Sequence, residues 1–135
     1  MSNEATGEPL CLHVRVDAAR AEALAREIGL LEPGGFAPLS YPALWLTQSQ
    51  IHDAVTQICA EADSVPVHES QRFSYAEPLR LDAEYRLTVS MRREETPPRL
   101  IVEAQVLTMD GNPVGRMHTQ LRLVPRALLR VEKSA

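Results

Sequence analysis

The fold is decided by one stretch of sequence, Phe73-Ser-Tyr-Ala-Glu-Pro-Leu-Arg-Leu-Asp-Ala-Glu-Tyr-Arg-Leu-Thr-Val-Ser-Met-Arg-Arg93. On both sides of Pro78 its apolar residues alternate with polar ones. Alternation with a period of two is typical of strands that bury one face of a sheet, and proline interrupts such strands. The stretch therefore predicts a strand, a corner near Pro78 and a second long strand.

The same alternation continues through the second half of the chain. A turn is predicted at Thr96-Pro-Pro98, and another at Asp110-Gly-Asn-Pro113. The alternating residues of the two further strands are Leu100, Val102, Ala104 and Val106, followed by Met117, Thr119, Leu121 and Leu123. Short turns between such strands predict an antiparallel meander with one buried face and one solvated face.

A central helix is predicted immediately before these strands. Thr47-Gln-Ser-Gln50 has the T-x-x-Q form of a capping box, which satisfies free N–H groups at a helix start. The apolar stripe that follows consists of Ile51, Val55, Ile58, Cys59 and Ala62. Helical spacing of this kind predicts a helix that packs one face against the sheet.

The N-terminal part of the chain predicts a smaller strand and helix. Leu12, Val14 and Val16 alternate with polar residues, and Asp17 can cap a helix that extends toward Leu31. Glu32-Pro-Gly-Gly35 ends that helix, and the proline-containing segment Phe36 to Trp45 is expected to be an ordered loop. We expect a flexible leader at residues 1–10, one domain at 11–125 and a C-terminal tail at 126–135.

Composition narrows the class of protein. A length of 135 residues suits one domain, and a net charge of −4 argues against nucleic-acid binding. The chain has no apolar run long enough to cross a bilayer and no signal-peptide pattern, so a cytoplasmic protein is expected. Cys11 and Cys59 are far apart and the four histidines lack metal-ligand spacing, so no metal or other cofactor is expected.

The order of these segments resembles the hotdog fold, in which an antiparallel sheet wraps a long helix. Within that fold, Val67-His-Glu-Ser-Gln-Arg-Phe-Ser-Tyr-Ala-Glu-Pro-Leu-Arg-Leu-Asp82 is similar to the v-H-x-x-q-x-f-x-y-x-x-P-l-x-x-G-D segment of MaoC-like hydratases and dehydratases. The resemblance implies a single α+β hotdog domain that binds an acyl thioester of coenzyme A or an acyl carrier protein. It also implies a dimer with the thioester channel between subunits, and reversible hydration of 2-enoyl thioesters with (R) specificity.

One part of the family pattern is missing from this chain. Active MaoC-type hydratases carry D-x-N-P-x-H where this sequence has Glu27-Ile-Gly-Leu-Leu-Glu-Pro-Gly-Gly35. Related dehydratases place a histidine before Phe-Pro and an acid on the central helix. Here Gly35 precedes Phe36, and Gln48 falls near the position of the acid. Neither glycine nor glutamine can serve as a general base, so the resemblance implies that the catalytic pair is absent.

Several residues remain as candidates for a relocated site. The catalytic candidates are His52, in the first turn of the central helix, and His68, in the segment that carries the resemblance. The substrate-binding candidates are Tyr41 and Trp45 as an apolar wall, Gln48 as a water-holding amide, and Arg72 as a ligand for coenzyme A phosphates. Arg92, Arg93 and Arg116 are predicted to point outward with Arg72. Each candidate also has an ordinary explanation, as a core residue or a solvated side chain.

Four functional alternatives follow. The chain is a non-catalytic subunit that shapes the channel beside a catalytic hotdog partner, or a homodimer with altered chemistry through His52 or His68. A hotdog thioesterase, in which a helix carboxylate activates water, belongs to another reaction class. A ligand-sensing or scaffolding module would have kept the fold without the chemistry.

Overall fold

The computed structural model of the protein describes residues 4–5, 7–29 and 34–130. Its strands are β1 (Glu4–Ala5), β2 (Leu10–Arg15), β3 (Ser64–Tyr75), β4 (Glu84–Glu95), β5 (Pro98–Thr108) and β6 (Pro113–Pro125). Its helices are α1 (Ala18–Glu27), a 3-10 helix (Tyr41–Thr47), α2 (Ser49–Glu61) and α3 (Arg126–Arg130). Two-residue strand β1 falls within the predicted leader. The described residues do not include Leu31 of the first predicted helix, or Glu32 and Pro33 of its predicted stop. They also do not include residues 131–135 of the predicted tail.

All six strands form one antiparallel sheet. Its order is β1-β4-β5-β6-β3, and β2 pairs with the same strand, β4, as β1 does. Hairpins join β4 to β5 and β5 to β6 at the two predicted turns. In the second turn the backbone N–H of Thr108 donates to Asn112 O, and the N–H of Gly111 donates to Thr108 O. The predicted antiparallel meander is therefore confirmed.

One face of the sheet forms the core with α2. The alternating residues Tyr85, Leu87, Val89 and Met91 of β4 are all buried, as are Leu100, Val102, Ala104 and Val106 of β5. From α2, Ile51, Ile58 and Cys59 are buried in the same cluster. The helix thus lies against the inner face of the sheet, as the sequence predicts. No helix in the described part of the chain is long and apolar enough to span a membrane.

The outer face of the sheet is solvated with one exception. Ile101 points away from α2 and yet is only 1% exposed. In register it lies between Arg92 of β4 and Gln120 of β6. The aliphatic stems of such long polar side chains can cover an apolar neighbour while their polar ends stay in water.

The predicted capping box at the start of α2 is wrong. Thr47 belongs to the 3-10 helix, and its hydroxyl donates to Leu44 O at 2.7 Å instead of accepting from α2. The N-cap residue is Gln48, whose side chain makes no capping hydrogen bond. The segment predicted as a loop is helical through Thr47, so the extended residue that precedes α2 is Gln48 and not the predicted cap Thr47.

The cap at α1 is confirmed. The Asp17 carboxylate accepts from the backbone N–H groups of Ala19 and Arg20, at 2.9 and 3.4 Å. The backbone N–H of Asp17 itself donates to the Tyr41 hydroxyl at 2.9 Å. This bond ties the start of α1 to the 3-10 helix.

A chain of ion pairs crosses the outer face of the sheet. It begins at a β-bulge in β3, where Glu69 accepts from Arg99 at 2.6 Å and from Arg122 at 2.7 Å. Arg99 also approaches Glu94 of β4, at 4.0 Å. Hydrogen bonding from Arg99, together with the nearby charge of Arg122, lowers the pKa of Glu69. The bulge is thereby joined to β5 and β6.

This network predicts how stability depends on pH. Glu69 stabilises the folded chain through its ion pairs only while it is charged. Because its pKa is lower in the folded chain than the ordinary value of 4.5, this stabilisation is present above pH 4.5 and is lost as the pH falls through the lowered pKa. Glu69→Gln should therefore be less stable than the wild type in urea unfolding at pH 7, and the difference should shrink at pH 3. Glu77→Gln, at an exposed position, is the control. A difference that stays constant or grows on acidification would contradict this.

Candidate functional site

The edge of the sheet formed by β3 lies next to α2. Only Ala62 and Asp63 separate the end of α2 from the start of β3, so β3 runs back alongside the helix toward its N-terminus. At the far end of β3, the Tyr75 hydroxyl donates to Leu39 O, just before the 3-10 helix. Burial raises the pKa of Tyr75. This bond joins the end of β3 to the Leu39 loop, and the corner that follows consists of this loop, the 3-10 helix and the start of α2.

Two of the predicted site residues lie at this corner in exposed positions. Gln48 and His52 are both exposed at the start of α2. His52 Nδ1 lies 3.7 Å from Asp53 Oδ1, but the two side chains are 70% and 81% exposed. A contact of that length between solvated groups holds neither side chain in place. The structure therefore brings Gln48 and His52 together without fixing them around a reacting group.

His68 lies farther along the β3 edge, beside a polar pair on the inner face. Its Nε2 is 3.1 Å from Gln71 Oε1. Gln71 is directly opposite Thr119 of β6, and Thr119 is only 2% exposed. Gln71 Nε2 and Thr119 Oγ1 are buried and have no hydrogen-bond partner among the described residues. His68 is thus paired with an amide rather than with a carboxylate.

Tyr41 and Trp45 are both part of the core. Their side chains are 2% and 3% exposed, and their rings meet edge to face with centroids 5.6 Å apart. Trp45 Nε1 donates to Arg15 O at 3.2 Å. In a single subunit these two residues pack the 3-10 helix onto β2 and α1.

Arg72 lies on the opposite, outer face of the sheet. It lines an open groove of about 610 Å³ that runs across β3, β6, β5 and β4. None of the other five predicted site residues lines this groove. Arg116 lines it as well, whereas Arg92 pairs with Glu103 at 3.0 Å.

The prediction that Arg93 points outward is wrong. Arg93 lies opposite the buried residue Leu100 in the strand register, so it points to the inner face.

Three histidine–carboxylate contacts occur in the described part of the chain. His13–Glu84 and His52–Asp53 are mostly exposed. The third joins His118 Nδ1 to Glu103 Oε1 at 3.3 Å, with the His118 side chain 25% exposed. Hydrogen bonding from Arg92 lowers the pKa of Glu103, with a smaller contribution from His118.

The cysteines and the metal-ligating residue types do not form a site in the described residues. Cys59 is buried on α2, and burial raises the pKa of its thiol, which makes it a poor nucleophile. Cys11 is exposed on β2. No group of three histidine, cysteine, aspartate or glutamate side chains within residues 4–5, 7–29 and 34–130 is arranged to hold a metal ion.

The architecture is shared with solved structures of a dehydratase complex, a hydratase and a thioesterase. The HadBC (3R-hydroxyacyl-ACP dehydratase) complex from Mycobacterium tuberculosis matches with a TM-score of 0.57 and 15% identity, over 84% of this chain and 96% of that one. The (R)-hydratase from A. caviae, involved in PHA biosynthesis, matches with a TM-score of 0.58 and 18% identity, over 92% of this chain and 98% of that one. A Staphylococcus aureus thioesterase matches with a TM-score of 0.60 and 8% identity, over 92% of this chain and 93% of that one. No protein-family model matches the sequence, and the comparison with curated proteins gives no match.

The chain has the hotdog fold. The strand order and the helix held on the inner face agree with the sequence prediction of a single α+β domain. At identities of 8–18%, this likeness establishes the fold of the domain and leaves its activity to be argued from its own residues.

Sequence reasoning missed several polar residues that the hotdog fold brings together. Gln71 and Thr119 meet on the inner face, and His118 and Glu103 meet on the outer face. Residues 71 and 119 lie 48 positions apart, and only the strand register makes them neighbours. The alternation itself assigns most residues to a face, whereas the two contacts follow from the register of β3 with β6 and of β5 with β6.

Proposed function

We propose that this hotdog domain binds acyl thioesters, of coenzyme A or an acyl carrier protein, as a MaoC-like subunit without its own hydratase chemistry. The observation that carries the proposal is the helix α2 held against an antiparallel sheet whose last strand, β3, pairs with β6 on one side and with no strand of the described residues on the other. The likeness to a dehydratase complex and a hydratase supports the ligand class. The cytoplasm, where such metabolism occurs, is its expected location.

The thioester would lie between two subunits at the corner formed by α2 and β3. The free outer edge of this twelve-residue strand, which pairs with no described strand, is a template for pairing with another chain. The apolar side chain of Val67, on this edge, is 49% exposed. An exposed apolar side chain on a strand edge favours association with another chain. A second hotdog subunit along β3 would turn the exposed corner at Gln48 and His52 into the wall of a channel.

No acid–base pair is found among the described residues of this corner, and this supports a binding role. General acid–base catalysis needs a group that can accept a proton within hydrogen-bond reach of the substrate. Gln48 cannot accept one, and His52 is solvated without a well-placed partner. His68 is held by the amide of Gln71. In the heterodimer version, a catalytic hotdog partner supplies the pair. In the homodimer version, His52 or His68 does.

A thioesterase mechanism has less support from the residues of α2. In a hotdog thioesterase a helix carboxylate would activate water. Here Asp53 is 81% exposed, and Glu61 is exposed at the far end of the helix. Neither carboxylate lies in a site from which water is excluded.

The test separates binding from chemistry. The purified chain is incubated with crotonyl-CoA, and hydration and thiol release are followed separately. With the chain alone, we expect neither hydration nor thiol release above background. When a catalytic hotdog partner that copurifies with the chain is added back, we expect hydration of crotonyl-CoA. Hydration by the chain alone that is lost in His52→Ala or His68→Ala would establish the homodimer version with altered chemistry. Thiol release by the chain alone would favour the thioesterase.

A further inference from the structure

The groove on the outer face of the sheet has a floor built from two cross-strand rows. In the first row, Arg72 of β3 lies opposite His118 of β6, and His118 lies opposite Glu103 of β5. Glu103 in turn lies opposite Ser90 of β4. Because β-sheet neighbours in register have Cβ atoms about 5 Å apart, the four side chains form a continuous polar line across the sheet.

The second row is parallel to the first and two residues away. Ser74 lies opposite Arg116, which lies opposite Gln105, and Gln105 lies opposite Thr88. Arg116 is therefore the diagonal neighbour of Arg72 on the adjacent strand, a separation of about 7–8 Å that two long guanidinium side chains can close. The hydroxyl and amide groups of this row are neutral donors facing the same space.

The charges in the groove are unbalanced. Arg72 and Arg116 make no ion pair with any residue of the described chain. The carboxylate in the groove, Glu103, is already engaged by Arg92 at 3.0 Å and by His118 at 3.3 Å. In a chain with a net charge of −4, the groove thus offers two uncompensated positive charges.

We propose that this groove binds a small soluble molecule through a diphosphate group held between Arg72 and Arg116. Planar guanidinium groups match phosphate oxygens with paired hydrogen bonds, and two of them from adjacent strands suit a group that carries more than one negative charge. The volume of about 610 Å³ lies in the range of small-molecule sites. Its polar floor suits a hydrophilic ligand rather than an acyl chain.

This site is separate from the proposed thioester channel. The groove lies on the outer face of the sheet, whereas α2, Gln48 and His52 lie on the inner side. Loss of one binding activity therefore does not entail loss of the other, and the two proposals can fail independently.

The test is calorimetric titration of the full chain with inorganic pyrophosphate. Saturable binding is expected for the wild type, and Arg72→Gln and Arg116→Gln should each weaken it about tenfold, the effect of losing a hydrogen bond to a charged group. Arg86→Gln is the matched control, because Arg86 is exposed on the outer face of β4 but does not line the groove. Glu103→Gln should tighten binding severalfold, since it removes the negative charge and releases Arg92.

Two results would overturn the proposal. One is the absence of saturable heat with pyrophosphate for a folded wild-type chain. The other is equal weakening by Arg72→Gln, Arg116→Gln and Arg86→Gln, which would indicate only general attraction to basic residues. Thermal unfolding of each variant verifies that it is folded, as expected for exposed arginines without partners.

Discussion

Replacing Trp45 by alanine should lower the free energy of unfolding by about 3–5 kcal/mol, the range for large aromatic side chains removed from a core. The side chain is 3% exposed, its ring contacts Tyr41, and its Nε1 donates to Arg15 O. The substitution therefore removes both the packing and the hydrogen bond that hold the 3-10 helix on β2. Urea unfolding monitored by circular dichroism measures the loss.

Trp45→Phe is the matched control for this prediction. It keeps an aromatic ring and removes the hydrogen bond to Arg15 O, so a smaller loss of about 1–2 kcal/mol is expected. If Trp45 instead forms only the wall of an acyl channel, Trp45→Ala would leave the unfolding midpoint unchanged and weaken thioester binding. That outcome would contradict the assignment of Trp45 to the core.

Replacing Ile51 by alanine should cost about 2–5 kcal/mol of unfolding free energy. Ile51 is 1% exposed at the start of α2 and lies in the core cluster with the inner face of the sheet. The loss would be a large fraction of the stability of a single domain, which is about 5–15 kcal/mol. The cost arises from lost burial and from the cavity left beneath the helix.

Gln57→Ala provides the comparison on the same helix. Gln57 is exposed, and a substitution there should change the free energy of unfolding by no more than about 0.5 kcal/mol. Both variants introduce alanine into α2, so helix propensity does not by itself explain a difference between them. Equal effects of the two substitutions in urea unfolding would show that α2 does not pack against the sheet at Ile51.

The fold could be predicted because its signals are local. The alternation in β4, β5 and β6 assigned residues such as Leu87 and Val102 to the buried face, and the helical stripe placed Ile51 and Cys59 against it. Asp17 was identified as a cap because its acceptor is within three residues of its donors. The start of α2 was mispredicted because packing of Tyr41 and Trp45 continues the 3-10 helix through Thr47, which overrides the local T-x-x-Q pattern.

The candidate sites were less accessible to sequence reasoning. Arg72 points outward, as the sequence predicts, but only the strand register distinguishes its neighbour Arg116 from the ion-paired Arg92. Arg93 directly follows Arg92 in an alternating strand, so it points to the opposite, inner face, and the prediction that both point outward is wrong for Arg93. The β-bulge at Glu69 likewise shifts the register of β3, and nothing in the local sequence specifies it.

The most direct test of acyl-thioester binding is calorimetric titration of the purified chain with a hydrolysis-resistant butyryl-CoA analogue. Saturable binding is expected, with a reduced affinity in Val67→Asp, which places a charge on the β3 edge where the second subunit would pair. A second titration uses the same acyl group carried on an acyl carrier protein. Binding of that ligand would identify the protein carrier. Absence of saturable binding to both ligands by the folded chain would contradict the proposed function.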